Sequence, residues 1–155
     1  MTKQEFLNRA KAINVKESRG HDAPSYEWDI KFDNVKVCNC WDDSYGGELE
    51  INNYSHHSIE KIYSTIDKDS LWDEKYQWTT TLELLMSELL DNHYRDKDAK
   101  KGVVFTNGKI RGYKHTIPTL IKRGEGFLIQ DIIDSVKDKS TIVNHEYLTN
   151  LKFKI

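Results

Sequence analysis

An α+β domain is the architecture predicted by this sequence of 155 residues. Three patterns carry the prediction. Residues 26–32 alternate strictly: Tyr26, Trp28, Ile30 and Phe32 face one way, while Glu27, Asp29, Lys31 and then Asp33 face the other. That is a half-buried strand on an antiparallel sheet. Residues 81–93 place Leu82, Leu85, Met86, Leu89 and Leu90 on one helical stripe. Asn107-Gly108 sits between two apolar runs, the strongest short-range hairpin signal, because both residue types accept positive φ. The expected fold is a single sheet, antiparallel or mixed, made of a three-stranded meander, a hairpin and a C-terminal strand. Three or four helices pack against it. The length suits one hydrophobic core, so residues 1–155 are expected to form a single domain.

In chain order, residues 2–13 read as a helix with Phe6, Leu7, Ala10 and Ile13 on one side. Residues 15–24 break that pattern. After the strand at 26–32, Asp33-Asn34 turns the chain into a second strand, 35–41, with Val35, Val37 and Trp41 on one face. Tyr45-Gly46-Gly47 turns it again into 48–53. Ile59, Ile62, Tyr63 and Ile66 form a short helical stripe after Ser58. Thr80 and Glu83 have capping-box spacing at the start of the helix 81–93. Val103–Phe105 and Ile110–Tyr113 flank the hairpin turn. Pro118 opens a helical turn that Gly124 and Gly126 interrupt, and a last helix covers 127–137. Leu151, Phe153 and Ile155 alternate with Lys152 and Lys154, the pattern of a strand added to the sheet.

The formal charge of −2 hides an uneven distribution. Residues 21–98 hold 18 acidic and 7 basic residues, together with all four tryptophans, whereas 99–155 hold 11 basic and 5 acidic. Acidic surface with aromatic anchors suits a basic protein partner, and a basic tail suits phosphate. No apolar run approaches the ~20 residues of a membrane span, so no membrane partner is expected. The N-terminus lacks the apolar core of a secretory leader, and the only cysteines, Cys38 and Cys40, are badly spaced for a mutual disulfide. A cytoplasmic location is the expectation. The abundance of Lys, Asn, Asp, Ile and Tyr is shared with AT-rich genomes, including those of phages and mobile elements.

Few residues have the spacing of reaction chemistry. Cys38, Cys40, His56 and His57 combine zinc-binding side chains, but one residue between the cysteines and two adjacent histidines is not a structural zinc spacing. Asp29, Asp42, Glu48 and Glu50 could supply carboxylates to a metal-dependent nuclease. The lysine expected two residues after a strand glutamate is missing, and a solvated strand face explains the same acids. There is no nucleophile elbow and no phosphate-cradling glycine loop. No cofactor or metal is expected.

Two interaction surfaces remain. Trp72, Tyr76 and Trp78 lie in a polar segment between helices where full burial is not assured. With Asp42, Asp43 and Tyr45 they are the residues expected to contact a protein partner. Lys101, Lys109, Arg111, Lys114, Lys122 and Arg123 surround the hairpin and are the alternative contact, to nucleic acid. Lysines that keep a sheet edge from pairing are the simpler account of that basic stretch. The expected function is a small non-enzymatic protein that binds and inhibits or regulates a basic, nucleic-acid-processing protein, in the manner of a phage- or mobile-element-encoded inhibitor or immunity protein. The alternatives are a nucleic-acid-binding domain using 100–123, and a metal-dependent enzyme such as a nuclease.

Overall fold

A computed structural model describes residues 1–19, 23–44 and 46–155. The chain is α+β: among these residues it forms a four-stranded antiparallel sheet, two small two-stranded ribbons and six α-helices. They divide into two compact units, Met1–His93 and Tyr94–Ile155.

The first unit opens with α1 (Lys3–Arg9). Thr2 and Glu5 form a capping box: Glu5 N donates to the Thr2 hydroxyl at 3.1 Å, and Thr2 N donates to the Glu5 carboxylate at 2.9 Å. The helix stops at Arg9 and does not run to residue 13. From there β1 (Ala10–Arg19) pairs antiparallel with β2 (Pro24–Phe32), setting Ala10 opposite Phe32 and Ala12 opposite Ile30. Buried alanines satisfy a helical stripe and a strand face equally well, and tertiary pairing decides between them. Asn14, at φ 52°, lies where the register shifts between Ile13 and Lys16. The shift breaks the period-two signal, so the segment 15–24 reads as irregular although 15–19 and 24, among its described residues, are strand.

β3 (Val35–Asp42) and β4 (Glu50–Asn53) continue the meander in the order β1-β2-β3-β4, one strand more than expected. Asp33 and Asn34 both take positive φ, 48° and 67°, the two-residue turn whose twist matches its strands. Cys38 faces Ile30 and Cys40 faces Trp28 across β2–β3, and all four side chains are buried on the inner face. A second register shift after Ile30 turns Val37 inward beside Cys38. Val37 therefore does not share the exposed side of Val35 and Trp41, contrary to the alternation expected for 35–41.

Helix α2 (Ile59–Ser64) is capped by Ser58, which accepts from Lys61 N. A 3₁₀ turn over Lys68–Leu71 leads into the ribbon β5 (Trp72–Asp73) and β6 (Trp78–Thr79). The N-terminus is laced to this stretch: the Met1 amine donates to Thr65 O at 2.9 Å, and Asp67 N donates to Met1 O at 2.7 Å. Helix α3 (Leu82–Ala99) buries Leu85, Met86, Leu89 and Leu90 as its stripe requires. The expected capping box does not form. Thr81 caps the helix, accepting from Leu84 N at 3.3 Å, while Thr80 is buried and its carbonyl accepts from the Tyr63 hydroxyl at 2.7 Å.

The second unit contains the end of α3, the hairpin β7 (Gly102–Val104) and β8 (Ile110–Gly112), α4 (Ile117–Lys122), α5 (Phe127–Ser135), a 3₁₀ turn over Lys139–Thr141, and α6 (His145–Asn150). Its core joins Val103 to Ile117, Leu120, Ile129, Ile132, Ile133, Ile142 and Leu148. The hairpin forms where Asn107-Gly108 predicts it, but with a longer loop. Only Gly108 takes positive φ, and the Asn107 side chain accepts from Lys109 N.

No strand forms at the C-terminus. The apolar residues of 151–155 do turn toward the core, as alternation predicts, yet their backbone partner is a side chain. Gln130 on α5 donates to Lys154 O at 2.7 Å and accepts from Lys154 N at 2.9 Å. Residues 141–143 lie beside β7 instead: Thr106 N donates to Thr141 O, and Val143 N donates to Val104 O. Asn144 secures that arrangement, donating to Ala99 O and Gly102 O and accepting from Val104 N. Thus the hairpin is a separate two-stranded ribbon and does not join the four-stranded sheet.

Candidate functional site

The ribbon at 72–79 is the feature that most clearly presents chemistry to solvent. Its base is closed by Leu71, which is buried and accepts from Thr80 N at 2.7 Å. Its tip is closed by Asp73, whose carbonyl accepts from Gln77 N at 2.8 Å and whose carboxylate accepts from Tyr76 N at 3.1 Å. Gln77 takes φ 57° and ties its side chain to Glu74 O. These bonds fix the tip and hold its rings without burying them. Trp72 is 44% exposed, Tyr76 53% and Trp78 48%.

Tyr76 and Trp78 stack with centroids 5.0 Å apart and planes at 16°, and the Lys75 ammonium lies 5.0 Å from the Tyr76 ring centre. Trp72, paired with Thr79 rather than Trp78, lines an open groove of about 470 Å³ with Tyr63, Ile66, Leu71 and Asp69. Burial and the nearby Glu83 carboxylate push the Tyr63 hydroxyl pKa up. Residues 67–79 carry Asp67, Asp69, Asp73 and Glu74 against Lys68 and Lys75, so the aromatic surface has an acidic margin.

Trp72, Tyr76 and Trp78 therefore lie on one ribbon, Trp72 with Thr79 on one face and Trp78 with Asp73 on the other. Asp42 and Asp43 lie elsewhere, at the last residue of β3 and just beyond it. There Asp42 accepts from Ser44 N at 2.9 Å, and the Ser44 hydroxyl donates to Pro24 O. Tyr45 lies outside the described residues. In the second unit, Lys101 pairs with Asp98 at 2.8 Å, and Arg123 pairs with Glu125 and contacts His115. Arg111 reaches the Ser135 hydroxyl. Lys109, Lys114 and Lys122 are exposed and have no acidic partner among the described residues.

The other sequence candidates are not brought together. Cys38 and Cys40 are fully buried while His56 and His57 are exposed. The contact between the two thiols and their burial push the Cys40 pKa up, away from a metal-ready thiolate. Among the described residues no three His, Cys, Asp or Glu side chains are grouped to hold a metal ion.

Asp29 has a partner set that sequence reading missed. On the outer sheet face it is only 7% exposed and accepts from Asn14 at 2.9 Å, Asn39 at 3.1 Å and the Tyr54 hydroxyl at 2.5 Å. Lys36 stands 3.7 Å away and also lies over the Tyr54 ring. Burial raises the Asp29 pKa, but the three hydrogen bonds and Lys36 together outweigh it and hold the carboxyl below its ordinary range. The same bond, with burial, pushes Tyr54 up to about 12. Alternation placed Asp29 on the polar face, but no local signal marks it as covered there.

No protein family, characterised protein or solved structure shows significant similarity to this chain. Among the described residues no helix is long and apolar enough to cross a membrane.

Proposed function

We propose that the protein is a non-enzymatic interaction module that captures a basic protein through the aromatic ribbon 72–79, and inhibits or regulates that partner by covering its basic surface. The observation that carries this reading is the ribbon itself. Three large rings stay half exposed on one short ribbon, the stacked Tyr76 and Trp78 on one face and Trp72 on the other, in a segment that carries four carboxylates. Rigid aromatic anchors lose little conformational entropy on binding, and acidic margins accelerate encounter with a cationic surface. A nucleic-acid-processing protein has such a surface, which makes it the favoured partner class.

The test is affinity capture from the native cell, with and without nuclease treatment, by the wild-type chain and by Trp72→Ala/Trp78→Ala. A cationic companion retained after nuclease and lost by about tenfold or more in the double variant is the expected result. Exposed substitutions of this kind leave the thermal transition within a few degrees. A folded double variant that holds the same companion equally well refutes the reading. Co-eluting nucleic acid that nuclease removes favours a second reading, contact through the basic stretch 100–123. What supports that reading is the set of unpaired Lys109, Lys114 and Lys122, with Tyr113 and Phe127 exposed in the same unit.

A further inference from the structure

We propose that a cleft at the turn end of the four-stranded sheet binds a phosphate group, either free or as the phosphoryl end of a small organic molecule. The cleft, about 290 Å³, is lined by Asn8, Arg9, Lys11, Lys31, Asp33 and Asn34. It is independent of the ribbon and of the reading attached to it.

Strand register makes this place electrostatically unusual. Lys11 stands directly opposite Lys31, and Lys31 directly opposite Lys36, so three ammonium side chains form one row across β1, β2 and β3. Like charges placed opposite each other on a sheet destabilise it. Lys36 has a partial remedy in Asp29, 3.7 Å away. Lys11 and Lys31 have none: no carboxylate lies within ion-pair distance of either among the described residues.

The one acid in the cleft is already committed. Asp33 accepts both arms of the Arg9 guanidinium, at 2.9 and 2.5 Å, and its N–H donates to Arg9 O at 3.0 Å. The guanidinium also lies 4.6 Å above the Phe32 ring centre. Arg9 and Asp33 thus form a neutral, braced wall, and the two lysines set the charge of the space beside it. Asn8 uses its amide oxygen to accept from Gln4, and among the described residues its amide N–H bonds have no protein acceptor. Two point charges with amide donors match a tetrahedral oxyanion, whose several oxygens accept from all of them at once. A bound dianion would turn the repulsion between Lys11 and Lys31 into a shared attraction.

The experiment follows thermal unfolding and backbone amide NMR shifts while inorganic phosphate is added, against chloride at equal ionic strength, with glycerol phosphate as a parallel ligand. Phosphate is expected to raise Tm and to move the resonances of residues 8–11 and 31–34. Lys11→Gln and Lys31→Gln should each raise Tm in phosphate-free buffer, because the like-charge contact is gone, and weaken phosphate binding about tenfold. Lys61→Gln, on α2, should respond to phosphate as the wild type does. Tighter binding of glycerol phosphate assigns the site to an organic phosphate, and equal or weaker binding assigns it to the free ion. Equal responses to phosphate and chloride, or a phosphate response that survives both cleft substitutions, overturn the proposal.

Discussion

At the scale of single residues, Asp29 shows how a charge is kept on a largely buried side chain. Desolvation works against the carboxylate, and donors from three different strands or their extensions outweigh it. The consequence for stability has a definite sign. Because the folded-state pKa lies below the unfolded value near 4, the stabilisation is complete above about pH 4 and is lost as pH falls through the folded-state value. Asp29→Asn removes this titrating group, so chemical unfolding between pH 5 and pH 2 should lose less stability in the variant than in the wild type. Asp29→Ala takes the acceptor from the Asn14 amide and the Tyr54 hydroxyl, leaves Asn39 with Glu27 alone, and should cost about 1–3 kcal/mol at pH 7. Equal acid sensitivity of wild type and Asp29→Asn would show that the network does not govern this window. Nothing in the local sequence announces the network, since its members come from residues 14, 29, 39 and 54 and meet only through sheet register.

At the scale of elements, the hairpin β7–β8 depends on two glycines that face each other. A Cβ on Gly102 would stand 2.2 Å from Arg111 O, and one on Gly112 would stand 2.2 Å from Lys101 O. The strands can sit this close only because both positions lack a side chain. Gly102→Ala should therefore destabilise the second unit by about 1–3 kcal/mol, seen as a lower denaturation midpoint, whereas Ala at a solvated hairpin position would be near neutral. The place of this hairpin was legible from Asn107-Gly108, though not its longer loop, and the stripe of α3 was legible from Leu82 to Leu90. The fate of 10–19 was not. Ala10 and Ile13 fit the helix that Phe6 begins, and the bulge at Asn14 removes the alternation that would betray β1. At the C-terminus the inward pattern of Leu151, Phe153 and Ile155 was read correctly, but a glutamine side chain, which no periodicity encodes, supplies the pairing that a strand would have supplied.

At the scale of the whole molecule, uneven charge along the chain was visible from composition, and so was the concentration of tryptophan in the acidic part. What composition could not separate was ring from ring: Trp28 is interior, while Trp41, Trp72 and Trp78 keep two-fifths or more of their surface in solvent. Trp28 was assignable from its place on the apolar side of β2. The exposure of Trp72 and Trp78 goes with a ribbon of two-residue strands, too short to lay a full face on the core. The same layering gives the protein an internal reporter. Both cysteines belong to β3 and sit at zero exposure on its inner face, so an alkylating reagent finds no target in the folded protein. Labelling should then proceed only as fast as the sheet opens, and its rate, plotted against reagent concentration, should level off at the opening rate of the native state. Prompt modification of either sulfur at neutral pH would mean that this layer breathes far more freely than its packing implies.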